Sequence, residues 1–489
     1  MSLTAVAIQF STQPYFKKTV RQFIQSPSVE RIYIFQGSAD VTSLPKCEGI
    51  KAVSLNSGVA LNLLFKKAKS KYLLLIAEPG HIDFRQFALE QYLRFAEETD
   101  AGIVYSDYYE LKNEERHEHP LNDYQIGSIR DNFDFGAAML FSVPAIRSAL
   151  KRYGAMRKGD PAGFYDLRLK ISVDHRIFHI REYLYTKTES DITLTGEKQF
   201  EYVDPRYRSM QKELEKVATK HLKEIGAYLK PKFKHVPKPG IKFPVEASVI
   251  IPVRNRVKTI SDALSSALHQ KTDFSFNVIV VDNHSSDGTT EVVKASAQKS
   301  SQVKHIMPGS LDLGIGGCWN EAIVSDHCGK YAVQLDSDDL YSNDETLQKI
   351  ICAFRSGNFA MVIGSYKLVN MNLEEIPPGV VDHKEWSPKN GRNNALRING
   401  FGAPRAFRTA LLRQIPLSNV SYGEDYGIAL RLSREYQIGR IYEPIYLCRR
   451  WVGNSDAALS IEKSNRNDAY KDMLRTVEIF ARQKINQKG

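Results

Sequence analysis

The sequence has few cysteines and no long apolar run. Only five cysteines occur among 489 residues, scattered and without a CxxC pair. This odd, unpaired set argues against a disulfide framework or a zinc knuckle and favours a reducing cytoplasm. The longest apolar runs, YLLLIA and AMVIG, fall far short of the roughly 20 residues that a membrane-spanning helix needs. The first residues, MSLTAVAIQF, lack the basic and apolar regions of a signal peptide, so we expect a cytoplasmic protein.

Positive charge is concentrated in one short segment. The chain has a formal net charge of +11, and residues 206–246 hold 11 Lys and Arg against 4 Asp and Glu. Because most of the surplus is local, nucleic acid binding is not indicated. A solvated helix and linker is one interpretation of the segment, and contact with a membrane surface or an anionic lipid acceptor is the other.

The length of the chain predicts more than one domain, since single cores stop growing at about 250–300 residues. Apolar residues at helical spacing over 209–229 predict an amphipathic helix, and the proline-rich stretch after it predicts a stiff connector. We therefore expect a domain over 1–205, a basic helix and linker over 206–246, a second domain over 247–460 and a C-terminal helix over 461–489.

The two predicted domains resemble each other. SKYLLLIAEPGHID (70–83) aligns without a gap with GKYAVQLDSDDLYS (329–342), and four further segment pairs, two before and two after it, occur in the same order in both halves. Preserved order over about 180 residues indicates two copies of one α/β unit. We expect each copy to be a mostly parallel, wound sheet flanked by helices.

Three polar clusters follow predicted strands of the second copy. ASVIIPV and FNVIVVD have the continuous apolar pattern of buried parallel strands, and the stretch between them is predicted to be helical. Ligands of such sheets lie beyond the carboxyl ends of the strands. The clusters RNR (254–256), DNHSSDGT (282–289) and DSDD (336–339) should therefore meet along one edge.

The acidic cluster predicts a cation. Asp336 and Asp338 flank one serine and can share Mg²⁺ or Mn²⁺, while water and phosphate oxygens complete the shell. An EF-hand is excluded, because Tyr341 and Leu347 occupy the positions of the required Gly and Glu. GIGGCWN is not a dinucleotide fingerprint, and no Walker motif is present. The glycines of GIGGCWN are expected to allow close approach of a ligand or an adjoining strand.

Two later motifs add candidate chemistry. GEDYG (423–427) places Glu424 and Asp425 just before a predicted helix, where they could stabilise the first turn or provide a general base. CRRW (448–451) combines two arginines with a tryptophan, which suits a phosphate or sugar site as well as a charged surface.

In this order, the motifs of residues 247–460 resemble the family 2 glycosyltransferases of the GT-A fold. The resemblance implies a metal-dependent, inverting transfer of one sugar, of hexosyltransferase type, from a UDP- or GDP-sugar to a hydroxyl of a glycan or lipid-linked acceptor. Asp425 would be the base and Glu424 would orient a substrate. Asp336 and Asp338 would bind metal and diphosphate, and the other donor contacts would be Pro252, Arg254, Asp282, Asn320, Arg450 and Trp451.

The segment 382–407 is the candidate acceptor loop. Trp386 could stack on a sugar ring or be an ordinary packed tryptophan, and His383 could approach the metal or be a surface histidine. Trp319 departs from the family pattern, in which many members have arginine before the asparagine. In the first copy, Ala77 and Pro79 replace the two metal aspartates, so this copy should bind acceptor, scaffold or form an oligomer contact.

Two other functions stay open. A non-catalytic tandem pseudoenzyme that binds sugars or nucleotides is the first, although the intact acidic residues of the second copy argue against it. A sugar-nucleotide pyrophosphorylase is the second, although IPVRNRVKT lacks the glycine-rich loop that would hold a triphosphate.

Overall fold

The computed structural model describes residues 4–12, 14–36, 44–52, 54–77, 81–188, 207–384, 386–451, 453–454 and 459–488. The chain forms two compact units. The N-terminal unit comprises Met1–Gly196, Ser209–Tyr228 and Leu459–Gly489, and the C-terminal unit comprises Glu197–Arg208 and Leu229–Ala458. The predicted boundary at residues 205 and 206 lies outside the described residues.

The N-terminal unit contains nine strands and seven helices among its described residues. They are β1 (Thr4–Gln9), α1 (Pro14–Gln25), β2 (Val29–Gln36), β3 (Cys47–Lys51), α2 (Gly58–Lys67), β4 (Tyr72–Ile76), β5 (Ile82–Phe84), α3 (Ala88–Thr99), β6 (Ile103–Lys112), β7 (Glu115–His119), β8 (Ala138–Ser142), α4 (Val143–Tyr153), α5 (Ala162–Asp174), β9 (Ile177–Thr188), α6 (Arg208–Glu224) and, from the end of the chain, α14 (Ile461–Lys488).

The C-terminal unit also contains nine strands in its described part. Its elements are β10 (Ala247–Val253), α7 (Ile260–Leu268), β11 (Phe276–Asp282), α8 (Thr289–Lys299), β12 (Val303–Ile306), α9 (Ile315–Val324), β13 (Tyr331–Gln334), β14 (Leu340–Tyr341), α10 (Thr346–Ser356), β15 (Phe359–Val369), β16 (Glu375–Val381), α11 (Gly391–Asn394), β17 (Arg405–Arg408), α12 (Thr409–Gln414), α13 (Glu424–Glu435) and β18 (Gln437–Arg449).

The two sheets have the same strand order, which confirms two copies of one α/β unit. The first runs β3-β2-β1-β4-β8-β6-β9-β5 with β7 paired to β6, and the second runs β12-β11-β10-β13-β17-β15-β18-β14 with β16 paired to β15. Each strand of one copy therefore has its counterpart nine places later in the other. Both contain a core of buried aliphatic and aromatic side chains around the sheet.

Each sheet is more mixed than the sequence predicts. In the C-terminal unit, β12, β11, β10 and β13 are parallel neighbours. Beyond β13 the ladders to β17, from β17 to β15 and from β18 to β14 are antiparallel, while β15 and β18 are parallel. Apolar periodicity identifies a strand but does not give its direction, so the parallel half alone could be inferred.

The linker after α6 is fixed along the C-terminal unit. Arg392 donates to the carbonyl oxygens of Lys230 and Lys232, and the side-chain amide of Asn393 bonds both backbone groups of Leu229. The connector thus gains its order from packing as well as from its prolines. Among the described residues, no helix is long and apolar enough to cross a membrane.

Candidate active site

The three polar clusters meet at one edge of the C-terminal sheet. Strand β10 pairs in parallel with β11 and β13, and Val253 lies opposite Asp282 at the carboxyl ends. The loops are tied to each other, since the backbone N–H of Asn255 donates to the Ser285 hydroxyl (3.0 Å) and that of Ser286 to Asn255 Oδ1 (2.8 Å). The sheet topology therefore brings the three loops together at the edge where the sequence predicts them.

A cavity of about 420 Å³ opens at this edge, and we call it the donor cavity after the predicted donor contacts among its lining residues. Its lining includes all of the predicted acidic residues except Asp282. The lining residues are Pro252, Val253, Arg254, Arg256, Asn283, Leu313, Ile315, Cys318, Trp319, Gln334, Asp336, Ser337, Asp338, Asp339, Arg405, Phe407, Leu417, Ser421, Glu424, Asp425, Cys448, Arg450 and Asn454.

Asp336 and Asp338 are held by neutral donors. Gln334 Nε2 donates to both carboxylate oxygens of Asp336 (2.9 Å each). Trp451 Nε1 and Asn454 Nδ2 both donate to Asp338 Oδ2 (3.2 Å each). The two carboxylates are thus oriented without being neutralised by these contacts, and Trp451 acts on the cavity through Asp338.

The two adjacent arginines have different positions. Arg449 is buried, and its backbone N–H donates to Asp339 Oδ1 (2.8 Å) while its Nη1 donates to Asp262 Oδ2 (2.8 Å). Its Nε also donates to the carbonyl oxygen of Asp338. Arg449 therefore fixes the acidic loop from behind, whereas Arg450, a predicted donor contact, lines the donor cavity.

The acidic loop fits a divalent cation. Burial raises the pKa of Asp336, and the neighbouring carboxylates of Asp338 and Asp425 raise it further. Burial, with Asp336 and Asp338, also raises the pKa of Asp339 well above its usual range. Hard carboxylate oxygens that repel one another are suited to Mg²⁺ or Mn²⁺. In the described part of the chain no three His, Cys, Asp or Glu side chains form a ready-made metal site, so other oxygens would have to complete the shell.

Glu424 and Asp425 begin α13 but have different surroundings. Glu424 is 9% exposed, and burial together with the Asp425 charge raises its pKa to about 8. Within the described residues its Oε2 makes no hydrogen bond. Asp425 forms an ion pair with Arg405 and accepts from the backbone N–H of Tyr426 (2.7 Å). Glu424 is therefore largely protonated at neutral pH, whereas Asp425 is paired with the guanidinium of Arg405.

Asp282 lies behind the cavity and not in its wall. It is 0% exposed, and it accepts from the Ser285 backbone (3.0 Å) and the Thr290 hydroxyl (2.5 Å). Burial alone would raise the pKa of Asp282, but these hydrogen bonds outweigh it and lower the pKa. His305 Nε2 approaches the same carboxylate (3.5 Å). Asp282 therefore holds the loop after β11.

The glycine-rich segment packs against protein backbone. A Cβ at Gly316 would lie 1.9 Å from the carbonyl oxygen of Ser418. The sequence left open whether a ligand or an adjoining strand comes close to these glycines, and at Gly316 it is the backbone of an adjoining segment. Asn320 does not line the cavity. Its amide donates to Leu417 O (2.9 Å) and accepts from Leu417 N (3.0 Å). Asn320 thus positions Leu417, which does line the donor cavity, and Trp319 contributes to the same wall.

The two aromatic candidates of the acceptor loop are packed inside the unit. Trp386 is 7% exposed, with its ring 5.7 Å from that of Phe401 and the Arg440 guanidinium 5.6 Å from its centroid. His383 is buried next to Tyr366, with ring centroids 6.0 Å apart. Neither residue lines the donor cavity.

The N-terminal unit lacks the corresponding acidic residues. Tyr72 pairs with Thr4 as Tyr331 pairs with Ala247, which places Ala77 at the position of Asp336. The register of β1 and β2 likewise places Gln36 at the position of Asp282. Pro79, predicted opposite Asp338, lies outside the described residues.

Asp166 follows from the sequence pairing of FYDLRLKIS (164–172) with EDYGIALRLS (424–433) as the N-terminal acid near the position of Asp425, and it is engaged elsewhere. Asp166 on α5 forms a buried ion pair with Lys170, and its Oδ2 also accepts from the backbone N–H of Arg157 (2.9 Å). Both oppositely charged side chains are almost fully covered. This carboxylate therefore serves the packing of α5.

Among the lining residues of the donor cavity that were not predicted as site residues, three have side chains that contact Asp338 or Asp425. Arg256 approaches Asp338 (3.7 Å), Asn454 donates to the same carboxylate, and Arg405 pairs with Asp425. Arg256 belongs to the RNR cluster, and Asn454 follows the CRRW motif. Arg405, within the long candidate acceptor loop, carried no local signal.

Residues 248–418 match the family model "Glycosyl transferase family 2". An uncharacterized glycosyltransferase of Rickettsia conorii is 27% identical over 199 residues, or 40% of this chain and 31% of the relative. One from Rickettsia bellii is 27% identical over 201 residues, or 40% and 27%. The matched region thus spans about a third of these curated relatives. Over residues 248–418 the C-terminal unit is therefore similar to glycosyl transferase family 2, and the match ends before Glu424.

Solved structures also align with the chain. TarS 1-349 of S. aureus in complex with UDP-GlcNAc is 25% identical, with 48% of this chain and 66% of that chain covered and a TM-score of 0.39. The mannosyltransferase PcManGT of Pyrobaculum calidifontis, in complex with GDP-Man and Mn²⁺, is 17% identical, with 58% and 87% covered and a TM-score of 0.33.

Proposed function

We propose that the C-terminal unit transfers a single hexosyl group from a UDP- or GDP-sugar to a hydroxyl of a glycan or lipid-linked acceptor, in the cytoplasm. The acidic loop 336–339, which lines the donor cavity inside the region that matches family 2, is the observation that carries the proposal. The base and ribose would lie near Pro252 and Arg254, and the diphosphate near Asp338 and Arg450.

In this proposal the carboxylates of Asp336 and Asp338 would hold Mg²⁺ or Mn²⁺ beside the diphosphate. When bound there, the ion would supply Lewis-acid stabilisation of the charge that builds on the leaving oxygen. Arg450 and Arg256 line the same cavity and would add positive charge beside the diphosphate. Trp451 and Asn454 keep the Asp338 carboxylate in place.

Asp425 is the proposed general base. The acceptor oxygen attacks the anomeric carbon, its proton moves to Asp425, and the bond from that carbon to the diphosphate oxygen breaks. A single displacement inverts the anomeric configuration. Glu424, protonated at neutral pH, is suited to donate a hydrogen bond to a substrate oxygen and not to accept a proton.

The N-terminal unit is proposed to support this reaction without performing it. Ala77 and Gln36 replace the acidic residues of the C-terminal copy, and the carboxylate of Asp166 is tied to Lys170. Acceptor binding, scaffolding or an oligomer contact remain the proposed roles for it.

The test is a panel of UDP- and GDP-sugars, with and without manganese, using the full chain. Asp338→Ala is the test variant, and Asp326→Ala, an exposed aspartate of the same unit, is the matched control. Release of nucleotide from one donor, only with metal and only when Asp338 is intact, is expected. Absence of both turnover and metal-dependent nucleotide binding across the panel would favour a sugar-binding pseudoenzyme.

A further inference from the structure

A second cavity, of about 240 Å³, lies under the linker of the C-terminal unit, and we call it the linker cavity. Lys330, in its wall, precedes β13, whereas Asp336 follows that strand. The linker cavity is therefore at the opposite edge of the sheet from the donor cavity. Its lining residues are Pro237, Lys238, Pro239, Gly240, Ile241, Phe243, Lys330, Arg408, Ala410, Leu411, Arg413 and Gln414.

The charged lining of the linker cavity has one sign. Four of the residues just given are Lys or Arg, and none is Asp or Glu. Lys330 is paired with Glu246 (3.1 Å). Arg408 and Arg413 each donate Nε to a main-chain carbonyl oxygen, of Phe359 (2.7 Å) and Ile323 (2.9 Å), contacts that fix the guanidinium groups without neutralising them. Because like charges around one cavity repel, an anion would be stabilised there.

The rest of the lining is mostly apolar. Prolines, Phe243 and Leu411 form the walls, and Ile241 is 50% exposed at the rim. A cationic and apolar lining suits an anionic group attached to an apolar chain. The volume is below the roughly 300–1,000 Å³ of pockets that enclose drug-sized ligands. It therefore suits a headgroup and its first carbons and not a whole nucleotide-sugar.

We propose that the linker cavity binds the anionic headgroup of a membrane lipid and so holds the C-terminal unit at an anionic membrane surface, with Ile241 in the interface. Residues 229–246 of the same unit hold five Lys against one Glu, and this surplus of positive charge provides the long-range attraction. This binding site is separate from the proposed transferase site and does not depend on it.

The test uses Gly240, which lines the linker cavity and has room for a side chain. A Cβ built there meets no described atom within 4 Å, and the residue does not have positive φ. Gly240→Glu adds a carboxylate to the basic cavity without removing a contact, and Gly240→Gln is the uncharged control of equal size. Binding of the full chain is measured by sedimentation with vesicles of phosphatidylcholine alone or in equal parts with phosphatidylglycerol.

We expect the unmodified chain and Gly240→Gln to bind the anionic vesicles and not the neutral ones. Gly240→Glu cancels one positive charge and should bind about fivefold more weakly from charge alone, and more weakly still because the added carboxylate occupies the site. Ile241→Ser should also weaken binding, whereas Lys294→Gln, an exposed lysine on α8, should change it less than Gly240→Glu does.

Equal binding of Gly240→Glu and Gly240→Gln to anionic vesicles would overturn the proposal. So would binding of inorganic phosphate that Gly240→Glu abolishes, if no chain binds vesicles, because the site would then serve a soluble anion. The headgroup site would be supported if phosphate competes with anionic vesicles for the unmodified chain and still competes for Gly240→Gln and Lys294→Gln.

Discussion

Arg405 connects the proposed base to the proposed metal site, because its guanidinium pairs with Asp425 while its backbone N–H donates to Gln334 Oε1 (3.0 Å). The amide of the same Gln334 donates to Asp336. Burial lowers the pKa of Arg405, but the carboxylates of Asp425 and Asp336 outweigh it and raise the pKa. Arg405, which the sequence did not single out, thus fixes the positions of Asp425 and Asp336 relative to each other.

Replacement of Arg405 by a neutral residue should lower the turnover rate strongly. Arg405→Gln removes the ion pair between Arg405 and Asp425, so we expect kcat to fall by about 100-fold, a loss similar to that of one preorganised hydrogen-bond donor. Arg431→Gln, at an exposed position on α13, is the control and should be neutral. Steady-state kinetics on the identified donor would measure both, and near-native kcat in Arg405→Gln would contradict the proposed arrangement.

The protonation of Glu424 predicts an alkaline limit to activity. Its pKa of about 8 means that it loses its proton as the pH rises past 8, and the added charge next to Asp425 should lower kcat. Glu424→Gln stays neutral, so it should keep substantial activity and lose the alkaline limb. A pH profile of kcat for both proteins checks this. If kcat of Glu424→Gln still falls at alkaline pH as it does in the unmodified protein, another group is responsible for the fall.

The same shift predicts a change in stability with pH. A carboxyl group with a raised folded-state pKa stabilises the fold fully below its unfolded pKa, and this contribution is lost as the pH rises through about 8. Glu424→Gln should therefore raise the free energy of unfolding at pH 9 by about 1–3 kcal/mol and have less effect at pH 5. Urea unfolding at the two pH values gives the comparison, and a larger gain at pH 5 would contradict it.

Asp282 should act on structure more than on chemistry. Asp282→Asn loses acceptor capacity toward Ser285 and Thr290 in a fully buried position, so we expect about 1–3 kcal/mol of destabilisation. The loop after β11 should loosen, which raises KM for the donor more than it lowers kcat. Asp287→Asn, in the exposed part of the same loop, is a milder comparison. Loss of kcat with unchanged Tm would instead indicate direct participation in the reaction.

The sequence predicted the parallel half of the C-terminal sheet and its acidic edge well. Strands β10 and β11 have the predicted bounds, because strands buried on both faces are continuous apolar runs. Arg405 could not be chosen in this way. It lies with Arg392 and Arg397 in one segment, and only tertiary packing decides that Arg405 enters the donor cavity while the other two are buried elsewhere.

The sequence also did not predict which part of the chain the C-terminal helix packs against. On α14 the buried positions include Asp472, Arg475, Glu478 and Arg482, so apolar periodicity gives no inward face. Asp472 is 0% exposed and bonds Ser128 Oγ (2.8 Å) and Arg475 Nη1 (2.7 Å) within the N-terminal unit. Arg130 pairs with both Asp468 and Asp472, so α14 is held there by ionic contacts between residues more than 300 positions apart in the sequence.

Those contacts give a prediction about folding. Asp472→Ala leaves Arg130 and Arg475 buried without this carboxylate, so we expect a loss of about 3–5 kcal/mol. Glu462→Ala, exposed on the same helix, should have little effect. Urea unfolding of the full chain would reveal the difference, and equal stability of the two variants would mean that α14 contributes little to the N-terminal unit.

The most direct test of the transferase proposal is nucleotide release from the identified donor by the full chain, compared between the unmodified protein, Asp338→Asn and Asp425→Asn. We predict metal-dependent release that falls by at least about 100-fold in each variant. Nucleotide binding should be weakened only in Asp338→Asn. Release that persists after metal removal and in both variants would contradict the assignment of the chemistry to the acidic edge of the donor cavity.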